Sequence, residues 1–118
     1  MITFAWCGDN LKAILATYKE QTPRLLHAHT LSSRMMMSDE GIIKRYNITP
    51  VTLSDIFHAL QTHTAVLRNE HANIFYIINS RGLLMCLHAY LTTAGWYCDV
   101  NSIQRNFRWR DGRKVFTL

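Results

Sequence analysis

The sequence predicts a single α+β domain over residues 1–118, with a helical core and short antiparallel hairpins. The 118 residues are 48% hydrophobic with only five glycines and two prolines, which suits one globular domain with a sizeable core. Apolar residues between residues 38 and 62 recur at helical spacing. Near the carboxy end, Asp111-Gly112 follows alternating aromatic and basic residues, which is a strong hairpin signal.

The amino-terminal part of the chain is predicted to contain a short strand and two helices. Residues 2–6 have the composition of a strand. Asp9 or Asn10 can cap a first helix, which is expected to end before Thr22. Thr22 is then expected to cap a second helix that runs to about Met36, because apolar residues recur along this stretch.

Residues 38–62 are predicted to form two short helices joined by a tight bend. Ser38 can cap the first helix by accepting a hydrogen bond from a backbone N–H of its first turn. Asn47 tolerates a positive φ and suits the bend that follows. Thr49 is expected to cap the second helix, with Pro50 as its first helical residue, where a missing N–H costs nothing.

The stretch 42–57 resembles the helix-turn-helix of bacterial repressors such as the Lac and GntR-type regulators, whose usual run is I-A-x-x-F/Y-G-V-S-x-x-T-V-S-x-A-L. The residues that fit this run are Ile42, Tyr46, Ile48, Thr49, Thr52, Leu53, Ser54 and Phe57. The resemblance implies a winged helix-turn-helix fold that binds double-stranded DNA. Residues just after the turn would face the major groove, where regulators usually carry Arg, Gln, Asn, Lys or Tyr. Here those positions hold Pro50, Val51, Ser54 and Asp55, so the chain departs from the pattern there.

Two strands are expected directly after this segment. Residues 64–68 and 72–79 are rich in strand-forming side chains and flank a polar bend at residues 69–71. A winged-helix domain carries its wing at this place in the element order. The sequence therefore predicts a wing over residues 64–79.

Residues 80–93 are predicted as a further helix, ended by Gly95. Because this helix would be apolar over more than one stripe, it is either central in the fold or part of a dimer interface. A homodimer would suit a DNA-binding protein, since two-fold symmetry matches palindromic sites. Residues 96–100 then form a short strand.

Basic residues are concentrated in the predicted hairpin over residues 105–118. The net charge is +5, and five basic residues stand against one acidic residue from Arg105 onward. Such a patch attracts polyanions by counterion release, so nucleic acid is the first partner to consider. The same field would steer an acidic protein, and a solvated edge strand that discourages aggregation would have the same composition. Phe107 and Trp109 could stack on exposed bases or point into the core.

The location expected from the sequence is the cytoplasm. A membrane-spanning helix needs about 20 apolar residues, and no apolar run in the sequence is close to that length. The first ten residues lack the features of a signal peptide. The three cysteines are odd in number and lack metal-type spacing, so free thiols in a reducing compartment are expected. They are Cys7, Cys86 and Cys98.

No cofactor, metal site or catalytic residue is predicted. On a helix, His27 and His29 would point in different directions, whereas zinc ligands converge on one tetrahedron. His58 and His63 adjoin no cysteine pair. Nothing marks a thiol as activated, and the common phosphate-binding, dinucleotide and serine-hydrolase motifs are lacking.

Two functional classes follow from these observations. The first, which the element order and the basic charge favour, is a small winged helix-turn-helix regulator of transcription. Its expected DNA contacts are Lys44, Arg45, Thr49, Val51, Thr52, Ser54, Asp55, Arg68, Arg108, Arg110, Arg113 and Lys114. The second is a non-enzymatic interaction protein that docks on an acidic host protein, as small phage- and plasmid-type inhibitors do. The unfavourable groove-facing residues favour this second class.

Overall fold

The computed structural model describes residues 2–32, 37–62, 72–110 and 112–118. Within these ranges the chain forms eight strands and three helices. In chain order they are β1 (Phe4–Cys7), α1 (Asp9–Ala16), β2 (His27–Thr30), β3 (Met37–Ser38), α2 (Asp39–Arg45), α3 (Leu53–Thr62), β4 (Asn73–Ile78), β5 (Leu84–Thr92), β6 (Gly95–Ser102), β7 (Arg108–Trp109) and β8 (Lys114–Thr117).

A six-stranded mixed sheet with the order β1-β6-β5-β4-β8-β2 forms the centre of the fold. Strand β6 is antiparallel to β5, β5 to β4, and β8 to β2. The pairs β1 with β6 and β4 with β8 are parallel. The short strands β3 and β7 form a separate antiparallel pair.

The two faces of the sheet are covered differently. On one face, α1 and α3 pack against the sheet, and their side chains join residues such as Phe75 and Leu87 in one core cluster. On the other face, a second cluster joins Ile42 of α2 and Trp109 of β7 to Ile74 of β4. Because successive strand residues point to opposite faces, β4, β5 and β8 each contribute to both clusters.

The expected winged helix-turn-helix with a helical core is wrong, because the fold is built on this mixed sheet. The clearest error is the helix predicted over residues 80–93, which is strand β5. Both faces of β5 are covered, since Leu87 belongs to one cluster and Cys86 to the other. A strand buried on both faces reads as a continuous apolar run and so imitates a buried helix. The dimer interface expected on that helix therefore loses its basis.

The helix predicted from Thr22 to Met36 is also wrong. Residues 27–30 form the edge strand β2, which pairs with β8. The preceding segment is held to α3 by Arg24, whose backbone N–H and guanidinium donate to the buried Asp55. These tertiary contacts override the helical spacing of the apolar residues. Residues 33–36 lie outside the described ranges.

The two helices of the segment 38–62 are present, and the first begins as predicted. The Gly41 N–H donates to the Ser38 hydroxyl over 3.1 Å, which confirms the cap of α2, and Asn47 has the expected positive φ of 48°. The second helix begins later than expected, because Val51 is in an extended parallel bridge with Ile77.

Thr52, and not Thr49, therefore caps α3. Its hydroxyl accepts from the Asp55 N–H over 3.1 Å, and its own N–H donates to the Asp55 carboxylate over 2.9 Å. This reciprocal pair of bonds is a capping box with Asp in the third helical position. The helix start is thus set by Thr52 and Asp55 together.

The expected hairpins pair differently in the structure. Residues 73–78 do form a strand, but β4 pairs with β5 and β8, and residues 64–71 lie outside the described ranges. In the predicted basic hairpin, β7 pairs with β3 while β8 lies between β4 and β2. Gly112 has the positive φ that a turn requires, 83°, and its N–H donates to the Leu31 carbonyl. The strand predicted over residues 96–100 is confirmed within β6.

Candidate functional site

Part of the second sheet face is less covered than the rest. Helix α2 and strand β7 pack near β4 and β8, where Ile74 and Val115 are fully buried. Toward the β1 edge, Trp6 and Tyr97 remain 43% and 37% exposed. Large aromatic side chains exposed side by side are unusual and indicate a binding surface.

Trp6 reaches this face because β1 contains an irregularity. The register of β1 with β6 shifts between Phe4 and Trp6. Phe4 therefore packs edge-on against Phe57 of α3, on the helix-covered face. Trp6 points to the opposite face and stacks on Tyr97, with ring centroids 4.4 Å apart and an interplanar angle of 16°. A bulge that turns one side chain outward is a frequent device at sheet edges and binding sites.

Six rings of the described residues form a continuous row across this face, which we call the aromatic row. From Tyr97 the row continues to Tyr90 at 5.9 Å, then to His88 at 5.6 Å. His88 contacts Trp109 at 5.7 Å, and Trp109 contacts Phe107 at 5.1 Å. Its members are Trp6, Tyr97, Tyr90, His88, Trp109 and Phe107.

A cavity of about 290 Å³ lies at the Trp109 end of the aromatic row. Its walls come from β5, β6, the first residue of α2 and the segment around β7. The lining residues are Asp39, Cys86, His88, Tyr90, Asn101, Gln104, Phe107 and Trp109. Aromatic walls combined with a few convergent polar groups are typical of ligand sites.

Asp39 accepts hydrogen bonds from two of the residues that line this cavity. Its side chain is almost completely buried, with 1% exposed. One carboxylate oxygen accepts from the Tyr76 hydroxyl over 2.8 Å and from the Trp109 indole N–H over 2.7 Å, while the other accepts from the Gln104 backbone N–H over 2.9 Å. Because Asp39 is in the first turn of α2, the helix dipole also favours its negative charge.

His88 contributes an unusual polar atom. Its Nε2 lies 3.1 Å from the Asn101 side-chain amide nitrogen, while its Nδ1 is buried and has no hydrogen-bond partner within the described part of the chain. Burial lowers the pKa of His88, against the opposing charges of Asp99 and Asp39. The ring is therefore neutral near pH 7.

The thiol and phenol beside Asp39 are not activated. Burial, reinforced by the Asp39 charge, raises the pKa of Cys86 well above its usual range and also raises that of Tyr76. A protonated, buried thiol is a poor nucleophile. Among the described residues, no three His, Cys, Asp or Glu side chains come together as a group that could hold a metal ion. The arrangement suits binding by stacking and hydrogen bonding.

Three residues expected to face a DNA groove are buried instead. Val51 is 4% exposed, Ser54 6% and Asp55 0%. The Ser54 hydroxyl lies 2.9 Å from the Tyr18 hydroxyl, and Asp55 is paired with Arg24. The buried side of α3 is thus the side that the resemblance assigned to DNA, and these three residues cannot contact a groove.

The remaining expected contacts are spread over the surface. Exposed positions are Lys44, Arg45, Thr49, Arg108 and Arg110, partly buried ones are Thr52, Arg113 and Lys114, and Arg68 lies outside the described ranges. Arg108 and Arg110 flank Trp109, the buried wall of the cavity. Burial raises the pKa of Tyr90 and the Arg113 charge opposes that rise, so Arg113 lies close to the aromatic row.

Four residues of this site were not predicted from the sequence: Trp6, His88, Tyr90 and Tyr97. The signal that could have revealed the last three is alternation. In β5 and β6, Tyr90 is directly opposite Tyr97, and His88 is directly opposite Asp99. Once residues 84–92 are assigned to a strand, these side chains share one face.

In the described ranges, none of the helices has both the length and the apolar character needed to cross a membrane. Comparisons of the chain with protein-family models, with curated proteins and with solved structures found no match.

Proposed function

We propose that the protein binds single-stranded nucleic acid along the aromatic row. The observation that carries this proposal is the continuity of six rings across one sheet face, with Trp6 exposed at one end and Phe107, 53% exposed, at the other. Each nucleobase has a flat face that stacks on such rings, and a stacked base contributes about 1–3 kcal/mol.

A single strand fits this surface better than a duplex. Bases in a duplex are stacked on one another and present only their edges, whereas unpaired bases can spread over aromatic side chains on a sheet. The residues that would have entered a duplex groove, Val51, Ser54 and Asp55, are buried. The double-stranded DNA partner expected from the sequence is therefore replaced by a single strand in our proposal.

The charge distribution supports a polyanionic ligand. Arg108, Arg110 and Arg113 are near the Trp109 end of the row, within a chain of net charge +5. At the Trp6 end, Asp9 and Asp99 line the same surface depression as Lys12. Because carboxylates repel phosphate, we expect the phosphates to follow the arginine end of the row and the bases to cover the rings.

The proposal is tested by fluorescence anisotropy with short labelled single strands of DNA and RNA and with a duplex of the same sequence, at low salt. Trp6→Ala and Tyr97→Ala should each weaken single-strand binding by about tenfold, because each removes roughly one stacked base. Leu83→Ala is the matched control, since Leu83 is 58% exposed on the turn between β4 and β5.

Two outcomes would contradict the proposal. If the ring variants and the Leu83→Ala control bind equally well, the aromatic row is not the contact surface. If the unmodified protein binds no nucleic acid at low salt, the basic residues serve the acidic protein partner considered in the sequence analysis, whose association the same charges would steer.

A further inference from the structure

The cavity at the Trp109 end of the aromatic row is a second feature that stacking on an open face does not explain. It has about 290 Å³ of space, near the lower end of the range for small-molecule sites. Aromatic rings of Tyr90, Phe107 and Trp109 border it, together with the side chains of Asn101 and Gln104. This composition fits one small planar molecule with polar edges.

We propose that this cavity holds a single nucleobase, extruded from the strand that lies along the aromatic row. The inference rests on the proposed function, because it assigns one base of the bound strand to this cavity. Proteins that take a base out of its stack hold it between aromatic or apolar side chains and recognise its edge by hydrogen bonds. The cavity offers both kinds of contact.

Two walls of the cavity are linked to each other through Asp39. Asp39 binds the Trp109 indole N–H and the Gln104 backbone N–H at the same time, so it locks two walls in one geometry. The Tyr76 hydroxyl donates to the same carboxylate. Preorganised walls lower the entropy cost of binding, and Asp39 acts here by positioning its neighbours.

His88 is the group that most needs a partner in this cavity. With the Asn101 amide nitrogen donating to Nε2, a neutral His88 carries its proton on Nδ1, and this buried N–H has no acceptor within the described part of the chain. Buried polar groups without a partner are rare in native proteins and often mark a functional position. A carbonyl oxygen or ring nitrogen of a nucleobase would supply the missing acceptor after a small shift of the lining side chains, because Nδ1 itself has almost no exposed surface.

The first test uses the full chain and adenosine, guanosine, cytidine and uridine, each added alone, with the indole N–H signals observed by NMR. At least one nucleoside should shift the Trp109 signal, while the signal of Trp96, buried on the helix-covered face, should stay in place. His88→Phe keeps a ring but removes the donor, and we expect it to weaken this binding by about tenfold.

Gln104→Ala is a second variant, because Gln104 is exposed and its change leaves the backbone bond to Asp39 intact. It should weaken nucleoside binding by about threefold through loss of one polar contact at the rim. The proposal would be overturned if nucleosides shift only the Trp6 indole signal, or if neither His88→Phe nor Gln104→Ala changes the affinity for nucleosides.

A second test separates this inference from the proposed function. Oligonucleotides that lack one base at successive positions should show one position at which the loss weakens binding most, and His88→Phe should abolish that difference. If the loss of a base weakens oligonucleotide binding equally at every position, and no nucleoside shifts an indole N–H signal, the base cavity is rejected. Binding along the aromatic row would remain. Nucleoside binding without oligonucleotide binding would keep the cavity as a nucleobase site and reject the proposed function.

Discussion

Arg24 and Asp55 form an ion pair, with 2.7 Å between the guanidinium Nη2 and the carboxylate Oδ2, and the Asp55 side chain is fully buried. The same carboxylate accepts from the backbone N–H groups of Arg24 and Thr52. Asp55 thus joins the loop before β2 to the first turn of α3. The helix-turn-helix resemblance assigned Asp55 to a DNA groove, but in the structure this residue connects two segments of the fold.

Replacing this carboxylate should destabilise the protein. Asp55→Asn removes the charge that pairs with Arg24 and weakens the cap of α3, so we expect the free energy of unfolding to fall by about 2 kcal/mol or more. Urea denaturation followed by circular dichroism measures this change. Asp9→Asn is the matched control, because Asp9 is fully exposed and its pair with Lys12 is long at 3.9 Å. Equal midpoints for the two variants would argue against the role of Asp55.

The pH dependence of stability should reveal the same group. Burial alone would raise the pKa of Asp55, but hydrogen bonds from Arg24 and Thr52 lower it below its ordinary value of 3.8. The part of the free energy of unfolding that comes from Asp55 is therefore fully present above the pKa of the unfolded state. It is lost as the pH falls through the lower pKa of the folded state. The difference in unfolding free energy between wild type and Asp55→Asn should shrink between about pH 5 and about pH 2, as urea titrations would show. A constant difference over that range would contradict the lowered pKa.

The arginines beside Trp109 should set the salt dependence of binding. If Arg108 and Arg110 contact phosphates, replacing both with Gln should reduce the slope of log affinity against log salt by up to about 1.4, or roughly 0.7 for each contact with a single strand. Arg81→Gln is the matched control, because Arg81 is exposed and lines a depression together with α1 on the other side of the sheet. If the double Gln variant and Arg81→Gln both have the same slope as wild type, the phosphates do not contact Arg108 and Arg110.

Gly112 should be sensitive to substitution. Its φ of 83° is strained for residues with a Cβ, and its N–H donates to the Leu31 carbonyl over 2.9 Å. Gly112→Val should lower the free energy of unfolding by about 1 kcal/mol or more. Thermal denaturation tests this against Gly41→Ala, since Gly41 is helical and a Cβ there would meet its nearest neighbour at an ordinary 3.5 Å. An unchanged melting temperature for Gly112→Val would exclude strain at the turn.

Secondary structure was predictable where the signal is local. The cap at Ser38 and the positive φ at Asn47 depend on side chains that bond or bend their own backbone within a few residues. The strand within β6 was recognisable from its residue types, and the positive φ of Gly112 from its turn composition. Each of these signals comes from the side chains of a few neighbouring residues, even though β6 itself is paired with the distant strand β1.

The candidate site was predictable only in part. Phe107 and Trp109 were candidates for stacking on exposed bases, because they alternate with arginines near the carboxy end. Trp6, Tyr90 and Tyr97 could not be joined to them, since their contact requires β1 to pair with β6 and β6 with β5. The bulge that turns Trp6 outward has no clear signal in its own short strand.

The sequence by itself determined the Ser38 cap of α2, the positive φ of Asn47 and Gly112, and the concentration of basic charge from Arg105 onward, because these depend on neighbouring residues or on composition. It did not determine the caps of α1 and α3, which are Gly8 and Thr52. Only the tertiary structure decided that residues 84–92 form a central strand and that Asp55 is buried. An apolar run satisfies a helix or a doubly covered strand equally well, and long-range pairing makes the choice. The aromatic row depends on the same pairing, because strand register brings together rings that are far apart in the chain.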